Sequence, residues 1–128
     1  MIIGERILEI SGNKHSQENI QGLSINIALD DVHLNDDTLE ITYTYTANYE
    51  NKIGLLTIKG MLMAKEESKL SNEVAAMWKK NKKIPEAYAE TVLSAINYSG
   101  SANGTLVARV LGLTAPLIPP RIQLSNKA

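Results

Sequence analysis

The chain holds no cysteine, no phenylalanine, one tryptophan and two histidines among its 128 residues. Without thiols it can form no disulfide, no thiolate zinc site and no cysteine nucleophile. That composition suits a reducing compartment, and the cytoplasm is the expected location. With aromatics confined to Trp78 and five tyrosines, the core must be built from Ile, Leu, Val and Ala. An excess of charge is lacking too. The formal net charge of −1 gives no field that would draw nucleic acid or anionic lipid. No apolar run approaches the roughly 20 residues that a membrane-spanning helix needs. The opening Met1-Ile2-Ile3-Gly4-Glu5-Arg6 has neither the basic start nor the unbroken apolar core of a signal peptide. The sequons at Asn97 and Asn103 therefore have no secretory context.

What remains is 44% hydrophobic and 21% charged, ordinary for a globular protein, and a chain of this length is expected to form one domain over residues 1–128. Residues 3–11, extending as far as 15, are apolar-rich and β-branched and predict a first strand. Leu23, Ile25, Ile27 and Leu29 alternate with Ser24, Asn26 and Ala28, the period of a half-buried strand, with a break expected at Asp30-Asp31. Asn35-Asp36-Asp37 is a turn signal. Residues 38–47 carry the clearest alternation: Leu39, Ile41, Tyr43 and Tyr45 on one face, Glu40, Thr42, Thr44 and Thr46 on the other. The fourth strand, residues 53–64, is apolar on both faces. Leu56, Ile58, Gly60 and Leu62 form one row, while Leu55, Met61 and Met63 make the second row apolar around Thr57 and Lys59. Such a strand is either covered on both sides or leaves one side for a partner.

From about residue 65 the period changes. Leu70, Val74, Met77 and Trp78 form a helical stripe, with Glu66 and Glu67 at its start and four lysines at its end, a match to the helix dipole. Pro85 stands at an expected first helical position. Tyr88, Val92, Leu93 and Ile96 continue a second helix, which the Ser- and Gly-rich residues 97–104 are expected to end or interrupt before a third piece near 102–111. Gly112 fits a helix C-terminus, and Pro116, Pro119 and Pro120 predict an extended tail over 113–128.

No group of residues assembles a recognisable chemistry. The acidic stretch Asp30 to Asp37, with His33, offers metal-ligand types, but it lacks the glycine and terminal glutamate of an EF-hand loop, and turns favour Asp and Asn for backbone reasons. Gly100-Ser101-Ala102-Asn103-Gly104-Thr105 lacks the lysine and preceding strand of a phosphate loop. Glu86 and Glu90 are a solvated pair at a helix start. The expectation is no metal, no cofactor and no enzymatic activity.

A four-stranded antiparallel sheet followed by helices and a proline-bearing tail is similar to the SecB-like fold. Three segments carry a resemblance to a small archaeal branch of SecB-like proteins. They are Tyr45-Thr46 with Tyr49-Glu50-Asn51-Lys52-Ile53-Gly54, Trp78-Lys79-Lys80-Asn81-Lys82-Lys83-Ile84-Pro85, and Pro120-Arg121-Ile122. The resemblance covers roughly residues 38–124. Pro85 with Tyr88-Ala89, and Leu113-Thr114-Ala115-Pro116, resemble the bacterial helix start and its Leu-Ala-Pro close. Glu90 stands where the bacterial block has arginine, and the Cys/His zinc tail is missing, so docking to the translocation ATPase is not implied.

The resemblance implies an α+β fold with a four-stranded antiparallel meander and two to three C-terminal helices. It implies a homo-oligomer, dimer or tetramer, that binds unfolded or preprotein polypeptide without ATP. The candidate contact residues are Leu55, Met61 and Met63 on the fourth strand, Tyr88 and Val92 on the helix, and Leu113, Leu117 and Ile118 in the tail. The competing expectation is a non-catalytic assembly protein for one folded partner, such as an antitoxin.

Overall fold

Alternation with period two gives the sheet one apolar face, and that face decides where the helices pack. The computed structural model describes residues 1–16, 22–116 and 122–125. Its strands are β1 (Ile2–Lys14), β2 (Leu23–Asn35), β3 (Thr38–Tyr49), β4 (Gly54–Ala64) and β5 (Ile122–Ser125). They form one sheet in the order β1-β4-β3-β2-β5. The first four are antiparallel to their neighbours, and β5 joins β2 in parallel. The expected α+β sheet is therefore present, but only β2, β3 and β4 run as a meander. β1 lies beside β4 instead of β2, which gives a Greek-key order. β4 is thus an interior strand, paired with β3 on one side and β1 on the other.

One face of the sheet carries the core. Leu39, Ile41, Tyr43, Tyr45, Ala47 and Tyr49 of β3 are fully buried there, beside Leu56 and Ile58 of β4. The register places Ile27 opposite Tyr45, and Tyr45 opposite Ile58. β2 does not stop at Asp30-Asp31. The register shifts between Leu29 and Asp31, so one extra residue is absorbed as a bulge, and Leu29 and Val32 both reach the core. The turn that follows is tight, with Asp36 in the left-handed region at φ 57°.

Two helices cover this face. α1 (Ser68–Asn81) buries Ser71, Val74 and Trp78, while Met77 is only half-buried. It begins later than expected: Glu67 is its N-cap, and no acidic residue lies in its first turn. Lys82 ends it at φ 56°, donating its N–H to Trp78 O at 2.8 Å, with its Nζ 5.7 Å from the Trp78 ring centre. The lysine run thus finishes a helix and shields its indole. α2 (Glu86–Leu111) follows Pro85, which is its N-cap and not its first helical residue.

α2 is a single helix of 26 residues, with no interruption over 97–104. Its buried residues recur every fourth position: Tyr88, Val92, Ile96, Gly100, Gly104 and Ala108. The glycines are there for contact and not for breaking. A Cβ on Gly100 would lie 2.3 Å from Tyr45 Cδ2, and one on Gly104 would lie 2.8 Å from Pro116 Cγ. Close approach to a tyrosine ring and to the chain beyond the helix outweighs their poor helix propensity. Gly112 ends α2 at φ 69°, and Leu113 N–H returns to Ala108 O at 2.8 Å in a Schellman arrangement.

Candidate binding surface

The helices divide the expected contact residues between two environments. Tyr88, Val92 and Leu113 lie on the covered side and are buried in the core of the chain. Leu55, Met61 and Met63 lie on the opposite face of the sheet, which no described helix covers. Leu117 and Ile118 fall outside the described residues. On the uncovered face, Met63 stands between Gly4 and Glu40, with its Cε over Gly4, and Met61 stands between Arg6 and Thr42. Both methionines are half-buried. Leu55 is at the other end of β4, between Asn13 and Asn48, 37% exposed. It borders an open recess of about 520 Å³ that His15, Asn48, Lys52 and Gly54 also line. Thr57 and Lys59 separate it from the methionines, so the uncovered row is two apolar ends around a polar middle.

Two further apolar surfaces are exposed. β1 is an edge strand of the sheet, and Ile3, Ile7, Leu8 and Ile10 along it are all exposed, Leu8 at 52%. Register shifts after Ile2 and Ile7 disturb the alternation that would have hidden half of them. On α2, Tyr98, Ala102, Leu106 and Val110 form a ridge at every fourth position on the solvent side, with Val110 at 85% exposure. No charged residue occurs between Thr91 and Ala108. So long an uncharged stretch of exposed helix stands out in a chain that is 21% charged. The sequence signal was present as a helix with more apolar positions than one stripe needs. It was hidden by the expectation of a break in the same residues.

Polar groups at the margins hold the layers together and perform no evident chemistry. Glu5 on β1 accepts hydrogen bonds from Tyr43 Oη at 2.7 Å and from Ser99 Oγ of α2 at 2.5 Å. Glu66 accepts from Tyr88 Oη at 3.1 Å and also meets the Met1 ammonium. Tyr49 Oη donates to Thr114 O, pinning the chain after α2 to the core. Burial pushes all four interior tyrosine hydroxyls up, Tyr49 to about 12. They stay protonated near neutral pH, and those of Tyr43, Tyr49 and Tyr88 serve as hydrogen-bond donors. His33 bridges two carboxylates on the uncovered face, Nδ1 at 3.0 Å from Asp31 Oδ2 and Nε2 at 2.8 Å from Glu40 Oε1. The hydrogen bond to Asp31 raises its pKa most; desolvation opposes it, and the hydrogen bond to Glu40 adds to the rise. Among the described residues no set of three His, Cys, Asp or Glu side chains is arranged to hold a metal ion. No described helix is long and apolar enough to cross a membrane.

No protein-family model matches the chain, and no curated protein does. A solved structure is similar to it: the SecB-like chaperone Rv1957 of Mycobacterium tuberculosis in complex with a ChAD peptide from the Rv1956 HigA1 antitoxin. The likeness covers 92% of this chain and 84% of that one at a TM-score of 0.60, with 9% sequence identity. At that identity the common property is the fold, and the fold of this chain is SecB-like.

Proposed function

We propose that this chain is an ATP-independent polypeptide-binding chaperone of the SecB type, belonging to the archaeal branch that its Trp78-to-Pro85 segment resembles. It has no catalytic role, works in the cytoplasm and holds unfolded or preprotein segments against apolar surface. One observation carries the reading: a SecB-like fold that leaves apolar side chains uncovered on β1, on the solvent side of α2 and at both ends of the second row of β4. A holdase needs such surface, and it gains from several weak contacts acting at once along one client. The uncharged ridge of α2 and the free edge of β1 suit self-association into a homo-oligomer, which multiplies those contacts. Suppression of light scattering from a chemically denatured client, without nucleotide and at one protomer per client, is the expected result. Unchanged aggregation at tenfold excess would contradict it.

A second reading is supported by the neighbour's own partner, a peptide from an antitoxin. On that reading the same surface serves one dedicated polypeptide. Affinity capture from the source cell that returns one stoichiometric protein, with no suppression of general aggregation, would favour it over the broad holdase.

A further inference from the structure

β5 is the odd member of the sheet. It is four residues long, it joins by parallel pairing where the other strand pairs are antiparallel, and it follows α2 in the chain. Its partners are direct: Ile122 with Ile25, Gln123 with Asn26, Leu124 with Ile27 and Ser125 with Ala28. We infer that the edge of β2 over residues 25–28 is a strand-addition site, and that β5 is a resident competitor for the extended apolar polypeptide that pairs there. This deepens the polypeptide-binding reading and rests on it.

Three observations favour a site over a permanent seal. The edge is a rigid template, because Ile25 and Ile27 are buried on the core side and paired across β2 to Ala47 and Tyr45. An exposed backbone edge of this kind recruits extended chain through main-chain hydrogen bonds. Secondly, the template is limited to this stretch. From Leu29 onward the bulge and the acidic pair Asp30-Asp31 spoil it, a common means of keeping strands off an edge. Among the described residues no strand pairs with that remainder on the side away from β3. Thirdly, the pairing is four residues long and parallel, and parallel pairing is slightly less stable per residue than antiparallel.

The attachment makes β5 an internal competitor. The chain is fixed at Thr114 by Tyr49 and at Pro116 against Gly104, and Ile122 follows shortly after. A tether this short gives β5 a high effective concentration at β2. A client segment therefore binds with its intrinsic affinity reduced by the fraction of molecules whose edge is open. Weak self-occupation of this kind covers a sticky edge when no client is present and yields it to a longer apolar strand. The preferred client segment is extended and alternates apolar residues, as Ile122-Gln123-Leu124 does.

The absence of native cysteine gives a clean test. Asn26→Cys with Gln123→Cys places two thiols at register partners, where neighbouring strands allow a disulfide. The probe is a fluorescein-labelled synthetic peptide with the sequence of residues 121–126, read by anisotropy. Loss of peptide binding in the oxidised form, with recovery on adding reductant, is expected. A second variant, Gln123→Pro with Leu124→Pro, removes β5's pairing and should bind the peptide about tenfold more tightly than the native chain. Trp78 fluorescence checks that each variant is folded. Equal binding by oxidised and reduced forms, or a proline variant that binds no better than the native chain, overturns the inference. Suppression of client aggregation is measured in parallel. If the disulfide governs peptide binding but no form suppresses aggregation, the strand site stands and the holdase reading falls. If suppression persists while the disulfide has no effect on the peptide, the reverse holds.

Discussion

Replacing Gly100 by alanine sets two opposing effects against each other, and the structure decides between them. Position 100 is inside α2, where alanine is better than glycine by about 1 kcal/mol. A Cβ there, however, would lie 2.3 Å from Cδ2, 2.4 Å from Cε2 and 2.6 Å from Cγ of Tyr45. Those atoms belong to a rigid ring that is itself fully buried, so the ring must retreat by about 1 Å or α2 must lift from the sheet. Overpacking of this kind costs about 1–3 kcal/mol, and contact with a ring edge belongs at the upper end of that range. Subtracting the propensity gain leaves a net loss of about 1–2 kcal/mol. Urea unfolding followed by the fluorescence of the single, buried Trp78 measures it, at one fixed protein concentration because association adds to apparent stability. Ala102→Gly, on the exposed side of the same helix, is the control and should lose about 1 kcal/mol by propensity alone. Tyr45→Leu should convert Gly100→Ala from a loss to a gain by removing the ring edge, a coupling that a double-mutant cycle reads directly. If Gly100→Ala alone stabilises the protein, the close approach of α2 to β3 is refuted.

The remaining predictions concern the margins and surfaces. Glu5→Ala strands Tyr43 Oη and Ser99 Oγ and should cost about 1–3 kcal/mol by urea unfolding, whereas a loss under 0.5 kcal/mol would mean that water replaces the carboxylate. His33 has its pKa raised by Asp31 and Glu40, so its contribution is complete below about pH 6.5 and is lost as the pH rises through the folded value. Because the groups are solvated, that contribution is at most about 1 kcal/mol. An NMR titration of the His33 ring with a midpoint at or below the ordinary histidine value would contradict it. Leu106→Glu with Val110→Glu should lower the oligomeric state seen by sedimentation while leaving the protomer folded, since both side chains are exposed. Unchanged mass would remove the α2 ridge from the interface.

Where local pattern and tertiary demand agree, the sequence was readable. The alternation of β3 put Leu39, Ile41, Tyr43 and Tyr45 on the buried face as expected, and Gly112 ends α2 as its type suggests. The double apolar row of β4 was also visible, whereas its pairing with β1 was not, because that neighbour is far away in sequence. Two of the differences arise where residues that usually break structure sit inside an element. Gly100 and Gly104 admit Tyr45 and Pro116 to a continuous helix, and Asp30-Asp31 are carried through β2 by a bulge. Of the candidate surface, Leu55, Met61 and Met63 were legible as a second row. Tyr88, Val92 and Leu113 were legible only as apolar positions, since periodicity marks which residues share a face but not which face the helices cover. β5 was not legible at all, because a four-residue parallel pairing next to prolines leaves no periodic trace.

The reading as a polypeptide-binding chaperone stands on whether the native protein captures chain that has no fold. Sedimentation velocity with a reduced and carboxymethylated protein, which is permanently unfolded, tests this directly in nucleotide-free buffer. Co-sedimentation of the fluorescent client with this protein, saturable and displaced by unlabelled client, is the predicted result. Two boundaries that move independently at every concentration would contradict it.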